Sequence, residues 1–319
     1  MTQEDNGQKL IVRNRPKKTL ETMLIQYQDR LNFWNEDFYE QSNPLARSGL
    51  FSISLGKTHI DDYEPVRVLG EGEILYRGHR LNVFDEEVFL QLLSYMRGLT
   101  LIKPLSIKKK QLLKDLGLND SGKNYQRLTE SLNRLDSGKL KIFSQAALNK
   151  LFVIMNDPNL AKTMEPEFVK LIAEKFGDLK IAIESALKNK QSFFVTIGFI
   201  QNNSENIANG NLLINIDPLI VLLFDGTNTT RTARFERKML CPAEKRLLTF
   251  VMSHSLPIYD MNLVSYRELL GSESKQSSMR KFRADLEKWL SNLEKIGRIE
   301  SGWQVTTSKV TGVKSKPYN

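Results

Sequence analysis

SYRELLGSESKQSSMRKFRADLEKWLSNLEKIGRIESGWQVTTSK, running from Ser265 to Lys309, is the stretch that decides how the chain is read. It opens with a short helical segment ending in Glu268-Leu269-Leu270-Gly271 and crosses a polar turn, Ser272-Glu273-Ser274. Met279, Phe282, Leu286, Trp289, Leu290, Leu293 and Ile296 then recur at steps of three and four. That spacing draws one apolar stripe down a helix of about five turns. Gly297 ends it. Off the stripe, at the helix start, stand Lys275, Gln276, Ser277, Arg280, Lys281 and Arg283. Arg298-Ile299-Glu300 and Trp303-Gln304-Val305 read as two short strands around Gly302, with Lys309 and Lys314 beyond.

Short helix, tight turn, long helix with a basic start and then a hairpin is the order of a winged helix, whose second helix enters the DNA major groove. A charge run is in general only a solvated face. Its place at a helix N-terminus, followed by a hairpin, selects the DNA reading. The same order occurs upstream. Ser106 reads as the cap of a short helix carrying Leu112, Leu113 and Leu116, which Gly117 ends. The turn Leu118 to Ser121 leads into a helix with Tyr125, Leu128, Leu132 and Leu135 inside. Lys123, Gln126, Arg127 and Arg134 face out, with Asn124 in the first turn, and Lys139 to Phe143 reads as a strand. The expected fold is α+β, with two tandem winged-helix domains. The expected DNA contacts are Lys123, Asn124, Gln126, Arg127 and Arg134 in the first, and the helix-start cluster with Lys309 in the second.

The chain divides into a tail (1–44), a first domain (45–226) and a second (227–319), with a polar linker at 227–232. Three short amphipathic helices around 145–190 read as an insertion in the first wing, followed by strand-like Phe193 to Phe199 and Leu212 to Ile216 with Asn- and Ser-rich turns between. The 46 Lys+Arg exceed the 37 Asp+Glu by nine. From Thr227 onward the counts are 17 and 9, so eight of the nine net positive charges fall in the last 93 residues, which suits a polyanionic partner. A lone cysteine, Cys241, forms no intramolecular disulfide and points to a reducing compartment. No apolar run approaches the ~18 residues that span a bilayer, so a cytoplasmic protein is expected.

Other chemistries find little support. Gly117 to Lys123 spells most of a phosphate-binding loop, but a leucine-rich helix precedes it, and Asn124 stands where Ser or Thr would hold magnesium. His59, His79 and His254 lack metal-ligand companions at a useful spacing, and Asp61-Asp62 and Glu86-Glu87 read as solvated acidic runs. No catalytic residue, metal or cofactor is expected. A nucleotide-dependent enzyme is the remote alternative, and a winged-helix transcriptional repressor the near one.

Asn43-Pro44 through Ala46-Arg47-Ser48-Gly49-Leu50-Phe51, the segment Lys114-Asp115-Leu116-Gly117 with Tyr125, Leu213 to Phe224, the Pro242 helix, and Arg267 to Gly271 with the basic helix after it together resemble the TrfA-type plasmid replication initiators. The resemblance covers about residues 28 to 310 and implies binding to repeated iterons in a plasmid origin. It implies opening of AT-rich DNA with the host initiator DnaA, loading of the replicative helicase, and a monomer-dimer balance that restrains copy number. It also implies a sliding-clamp peptide, here resembled by Gln28 to Phe33, with Gln28, Leu31 and Phe33 as the contacts; plain packing is the other use of such side chains.

Overall fold

The computed structural model describes residues 29–31, 35–54, 58–206, 210–224, 228–271 and 278–318. β1 (Phe38–Ser42) leads through a one-turn helix, α1 (Asn43–Ala46), and β2 (Phe51–Ser52) into the antiparallel pair β3 (His59–Val66) and β4 (Glu73–His79). β5 (Leu81–Asn82) lies parallel to β2. α2 (Val83–Tyr95) begins with a capping box: the Asn82 side chain accepts from the Phe84 and Asp85 amides, and the Asp85 carboxylate accepts from the Asn82 N–H at 2.8 Å. Then come β6 (Leu105–Lys108), α3 (Lys109–Asp115), α4 (Gly122–Ser137) and β7 (Lys139–Phe143). The insertion holds α5 (Gln145–Asn156), α6 (Pro158–Ala161), α7 (Pro166–Phe176) and α8 (Lys180–Asn189). After it run β8 (Val195–Gly198), β9 (Ile200–Asn206) and β10 (Asn211–Ile216). A 3-10 turn (Pro218–Leu223), β11 (Thr229–Ala233), α9 (Arg234–Met239), α10 (Pro242–Met252), β12 (Met261–Asn262) and α11 (Leu263–Leu269) follow. α12 (Met279–Lys295), β13 (Gln304–Val305) and β14 (Lys309–Thr311) complete the chain.

One arrangement appears twice. In α2-β6-α3-α4 with the hairpin β9-β10, the sheet order is β6-β10-β9. In α10-β12-α11-α12 with the hairpin β13-β14, it is β12-β14-β13. Both sheets are antiparallel, and in each the strand between the first two helices pairs with the second hairpin strand. Each unit has its own core. Val88, Phe89, Leu92, Leu128, Leu132 and Leu135 belong to the first, and Leu247, Phe250, Tyr266, Phe282, Leu286 and Leu290 to the second. Leu69, a residue of the β3–β4 connection, is buried in the second core.

Several sequence expectations change. Ser106 is a residue of β6, and α3 begins after Lys108 with no side-chain cap. Lys139–Phe143 is a strand, but it pairs with β4 and β8 in a separate sheet ordered β3-β4-β7-β8, so the first hairpin lies beyond the insertion. Its Leu140/Ile142 alternation reveals a half-buried strand and says nothing of its partner. The Asn- and Ser-rich stretch read as turns contains β9, which pairs through its backbone while most of its side chains stay exposed and leave no apolar alternation. Arg298–Glu300 is not half of the second hairpin; the Glu300 amide donates to Lys314 O and the Lys316 amide to Arg298 O, each at 2.9 Å. Residues 229–232 of the expected linker belong to β11, which pairs with β1 of the expected tail from Phe38↔Ala233 to Ser42↔Thr229.

The largest departure is electrostatic. Glu86 is fully buried and Glu87 nearly so, and neither lies on a solvated run. Both meet arginines of the second unit, themselves fully buried. Arg237 of α9 donates to Glu87 Oε1 at 2.7 Å and to Glu86 Oε2 at 3.1 Å, and Arg246 of α10 donates to Glu86 Oε1. Thr249 takes a further Arg237 N–H at 2.6 Å, and Ser48 O accepts from Arg246 at 2.6 Å. Burial alone would raise the Glu86 carboxyl, but Arg246 and Arg237 outweigh it and hold it below its ordinary value of 4.5. Part of the positive charge surplus after Thr227 is therefore spent inside the molecule on carboxylates of the first unit.

Glu86→Gln keeps the shape but leaves Arg246 facing only carbonyl oxygens, so a loss of about 3–5 kcal/mol is expected in urea unfolding. In the native protein this contribution is complete above pH 4.5, the ordinary value, and is lost as pH falls through the lowered folded-state value. Glu86→Gln should flatten that acid limb. An unchanged midpoint and acid profile would show that the pair contributes nothing.

Candidate nucleic-acid interface

The third helix of each unit carries the candidate residues. α4 begins after a turn that Gly117 permits with φ +75°, and Ser121 caps it by accepting the Asn124 amide. Asn124 closes the turn by donating from Nδ2 to Asn119 O at 3.0 Å. Leu128, Leu132 and Leu135 bury one face, which leaves Lys123, Gln126, Glu130 and Asn133 exposed. Gln126 donates to Glu130 Oε1 at 3.0 Å along that open face.

Arg134 is not on it. Its guanidinium grips the buried Asp85 carboxylate with Nε–Oδ2 at 3.0 Å and Nη2–Oδ1 at 2.8 Å, fastening α4 to the start of α2. Arg127 lies over the Phe84 ring at 3.8 Å and is tied to the same place. A helical wheel places both off the apolar stripe; Arg127 is exposed as that spacing expects, whereas Arg134 turns to a carboxylate of α2 that the wheel cannot show.

Three exposed lysines that the sequence reading passed over stand beside α4: Lys108 at the end of β6, with Lys110 and Lys114 on α3. The run Lys108-Lys109-Lys110 was the available signal. Lys110 pairs with Asp120 at 2.8 Å. Lys109 donates to Thr129 Oγ1 of α4 at 3.2 Å and also pairs with Glu205 of the β9–β10 hairpin, linking helix and hairpin.

In the second unit Ser278 caps α12 by accepting the Lys281 amide at 3.3 Å. Arg280 and Lys281 are exposed and Arg283 is half-buried, while Phe282, Leu286, Leu290 and Leu293 face the core. Cations in a first helical turn oppose the helix dipole, at a cost of roughly 0.3–1 kcal/mol each. Among the described residues no carboxylate meets Arg280 or Lys281. Cations at a helix start that meet no described carboxylate suit a phosphate. Lys309, on the hairpin, pairs with Asp260 at 3.2 Å; both are about half exposed, and such a pair adds only ~0–1 kcal/mol, little enough to exchange for a phosphate. Lys275, Gln276 and Ser277 lie outside the described residues, as do Gln28 and Phe33 of the clamp-like peptide.

Leu31 is fully buried in the first core, and its carbonyl accepts from the Gly98 amide at 3.1 Å. Asp29 accepts from the Glu165 amide at 3.0 Å, and Arg30 reaches the Glu165 carboxylate at 3.4 Å. In this conformation Leu31 is core and not a surface contact. His59 and His79, separate in sequence, sit directly opposite on β3 and β4 with ring centroids 4.6 Å apart. Among the described residues there is still no group of three or more His, Cys, Asp or Glu able to hold a metal. The Gly117–Lys123 loop follows α3 rather than a strand, and no described helix is long and apolar enough to cross a membrane.

Set beside known proteins, the chain is similar to a plasmid replication initiator. The plasmid replication initiator protein TrfA of Escherichia coli is 23% identical over 274 residues, covering 85% of this chain and 60% of that protein. This chain thus spans less than two thirds of that relative's length. Among solved structures, the Pi initiator protein in complex with iteron DNA shares 12% identity, covers 89% of this chain and all of its own, and superposes with a TM-score of 0.47. Domains 2 and 3 of RctB share 12% identity over 83% of this chain and 94% of that one, with a TM-score of 0.42. The family model described as TrfA protein matches residues 4–155 and 206–311, passing over 156–205, where α6, α7, α8 and β8 lie. With most of its length matched, the chain belongs to the TrfA family.

Proposed function

We propose that this protein initiates plasmid replication by binding direct repeats of an origin through two winged helices, one in each repeated unit. The observation that carries the reading is the duplicated helix–strand–helix–helix–hairpin arrangement, whose third helices both start with exposed basic and polar side chains. Family membership, with a relative named as a plasmid replication initiator, supports it. α4 and α12 enter successive major grooves by their N-terminal turns, and the hairpins lie along the flanking backbone. Lys108, Lys110 and Lys114 on one side and Lys309 on the other meet phosphates, which orient the helices without selecting sequence. DNA bound in this way is the platform on which DnaA and the replicative helicase act, and pairing of two copies restrains copy number.

The two units differ in surface residues, so one copy reads two different half-sites. B-DNA repeats every ~34–36 Å, about 10–10.5 base pairs, which gives a non-palindromic site of roughly twenty base pairs per copy. A repressor acting as a two-fold dimer would need a palindrome. Footprinting on one repeat during a protein titration should show two adjacent major grooves protected at one copy per site. A symmetric footprint that needs two copies would favour the repressor.

Substitutions separate contact from scaffold. Arg280→Ala should weaken binding by ~1–3 kcal/mol, with relaxed specificity at one base pair if it reads a base and an even loss if it meets phosphate, and leave the melting temperature unchanged. Arg134→Ala should lower the melting temperature by several degrees, since it strands the buried Asp85 carboxylate. The opposite pattern, a stability loss for Arg280 and a pure affinity loss for Arg134, would invert these assignments.

A further inference from the structure

Residues 43–54, which hold the first stretch of family resemblance, touch both units. Asn43 donates from Nδ2 to Asn228 Oδ1 at 2.9 Å and accepts from Thr230 Oγ1 at 2.6 Å, which anchors the segment beside β11. Arg47 donates from Nε to Ser253 Oγ at 2.9 Å and reaches Ser253 O at the C-terminal end of α10, where a cation is favoured. Ser48 O accepts from the buried Arg246. Phe51 and Ser52 pair in parallel with Leu81 and Asn82, and Asn82 is the cap of α2.

The other side of the segment grips the end of α11. Ser52 Oγ donates to Gly271 O at 2.6 Å, Ser54 Oγ to the same oxygen at 3.2 Å, and the Ile53 amide to Leu270 O at 2.9 Å. Gly49 lies so close to Glu268 O that a Cβ there would collide with backbone. A side chain at Gly271, φ +58°, would come within 2.7 Å of Ser52 Cβ. Only glycines allow this approach.

Behind α11 lies α12: Leu269 and Leu270 share one buried cluster with Phe282 and Leu286. Behind α2 lies α4, held by Arg134 on Asp85 and by Leu128 and Leu132 in the core shared with Val88 and Phe89. Twelve residues therefore connect the mountings of both candidate reading helices through short backbone contacts.

We infer that residues 49–54 are a gauge that sets the distance and rotational phase between α4 and α12, and hence the number of base pairs allowed between two half-sites. Gly49 and Ser52 are its positioning residues. The inference rests on the two-helix reading of the preceding section. One base pair of extra spacing turns the second half-site by about 35° around the DNA axis, which a rigidly mounted pair of helices cannot follow.

The test measures affinity for duplexes in which one or two base pairs are added or removed between the half-sites, and for each half-site alone. The native protein should lose about tenfold or more per base pair of altered spacing. Ser52→Ala, which deletes one hydroxyl and leaves the backbone contacts, and Gly49→Ala should flatten that dependence to within about threefold while half-site affinities stay within twofold of native. Should Gly49→Ala fail to fold, Ser52→Ala carries the test alone. Variants that keep the native steepness, or that lose affinity equally on every duplex and each half-site, overturn the gauge. If the native protein binds no origin repeat at all, the initiator reading itself falls, and the two failures are distinct.

Discussion

The structure depends on a buried salt-bridge network between units that a sequence reading would leave as beads on a string. Glu86 and Glu87 begin the first helix of one unit; Arg237 and Arg246 come from the helices that open the other. Removing such charges from water costs several kcal/mol per ion, and their attraction in a low dielectric returns that only when geometry and hydrogen bonds are nearly complete. Here Thr249 Oγ1 and the carbonyls of Ala46 and Ser48 take up further guanidinium protons. An apolar contact of equal size would hold the units together but would tolerate sliding. Directional hydrogen bonds to two carboxylates do not, and the proposed reading of two grooves by one chain needs that definition.

Around the network, shorter contacts repeat the same theme. β1 and β11 join the start of the first unit to the entrance of the second, Leu69 inserts into the second core, and Arg298 reaches Glu236 at 2.9 Å. Such contacts consume charge. Arg134, Arg237, Arg246 and Arg298 all look available for a polyanion in sequence, and all serve carboxylates of the protein itself. Such pairs leave the net charge at +9 but fix where it is open to solvent: the lysines around α3 and the first turns of α4 and α12.

Local order was legible and long-range partnership was not. The stripes Leu128-Leu132-Leu135 and Phe282-Leu286-Leu290 placed both long helices, and Gly117 and Gly297, at φ +75° each, marked turns correctly. A 3.6-residue period reports which face is buried, and a glycine reports where the chain can reverse. Neither reports what lies opposite. Lys139–Phe143 was recognisable as a strand but not as a partner of β4, and Glu86 looked like a solvated acid because its arginines lie 151 and 160 residues away. The polar β9 had no signal, since its stability comes from the backbone ladder with β10. Of the candidate interface, the open faces of α4 and α12, Arg127 included, follow from periodicity, whereas the turn of Arg134 toward Asp85 does not.

On the proposed two-helix reading, the buried interface holds α4 and α12 at one fixed separation before DNA arrives. Nitroxide labels at the exposed positions Asn133→Cys on α4 and Lys288→Cys on α12, in a Cys241→Ser background, allow a direct measurement by pulsed electron–electron resonance. A single narrow distance distribution, unchanged on adding a duplex repeat and broadened by Glu86→Gln, is the expected result. A broad distribution in the free protein that narrows only on DNA would contradict it and show that DNA, not the protein interior, sets the spacing.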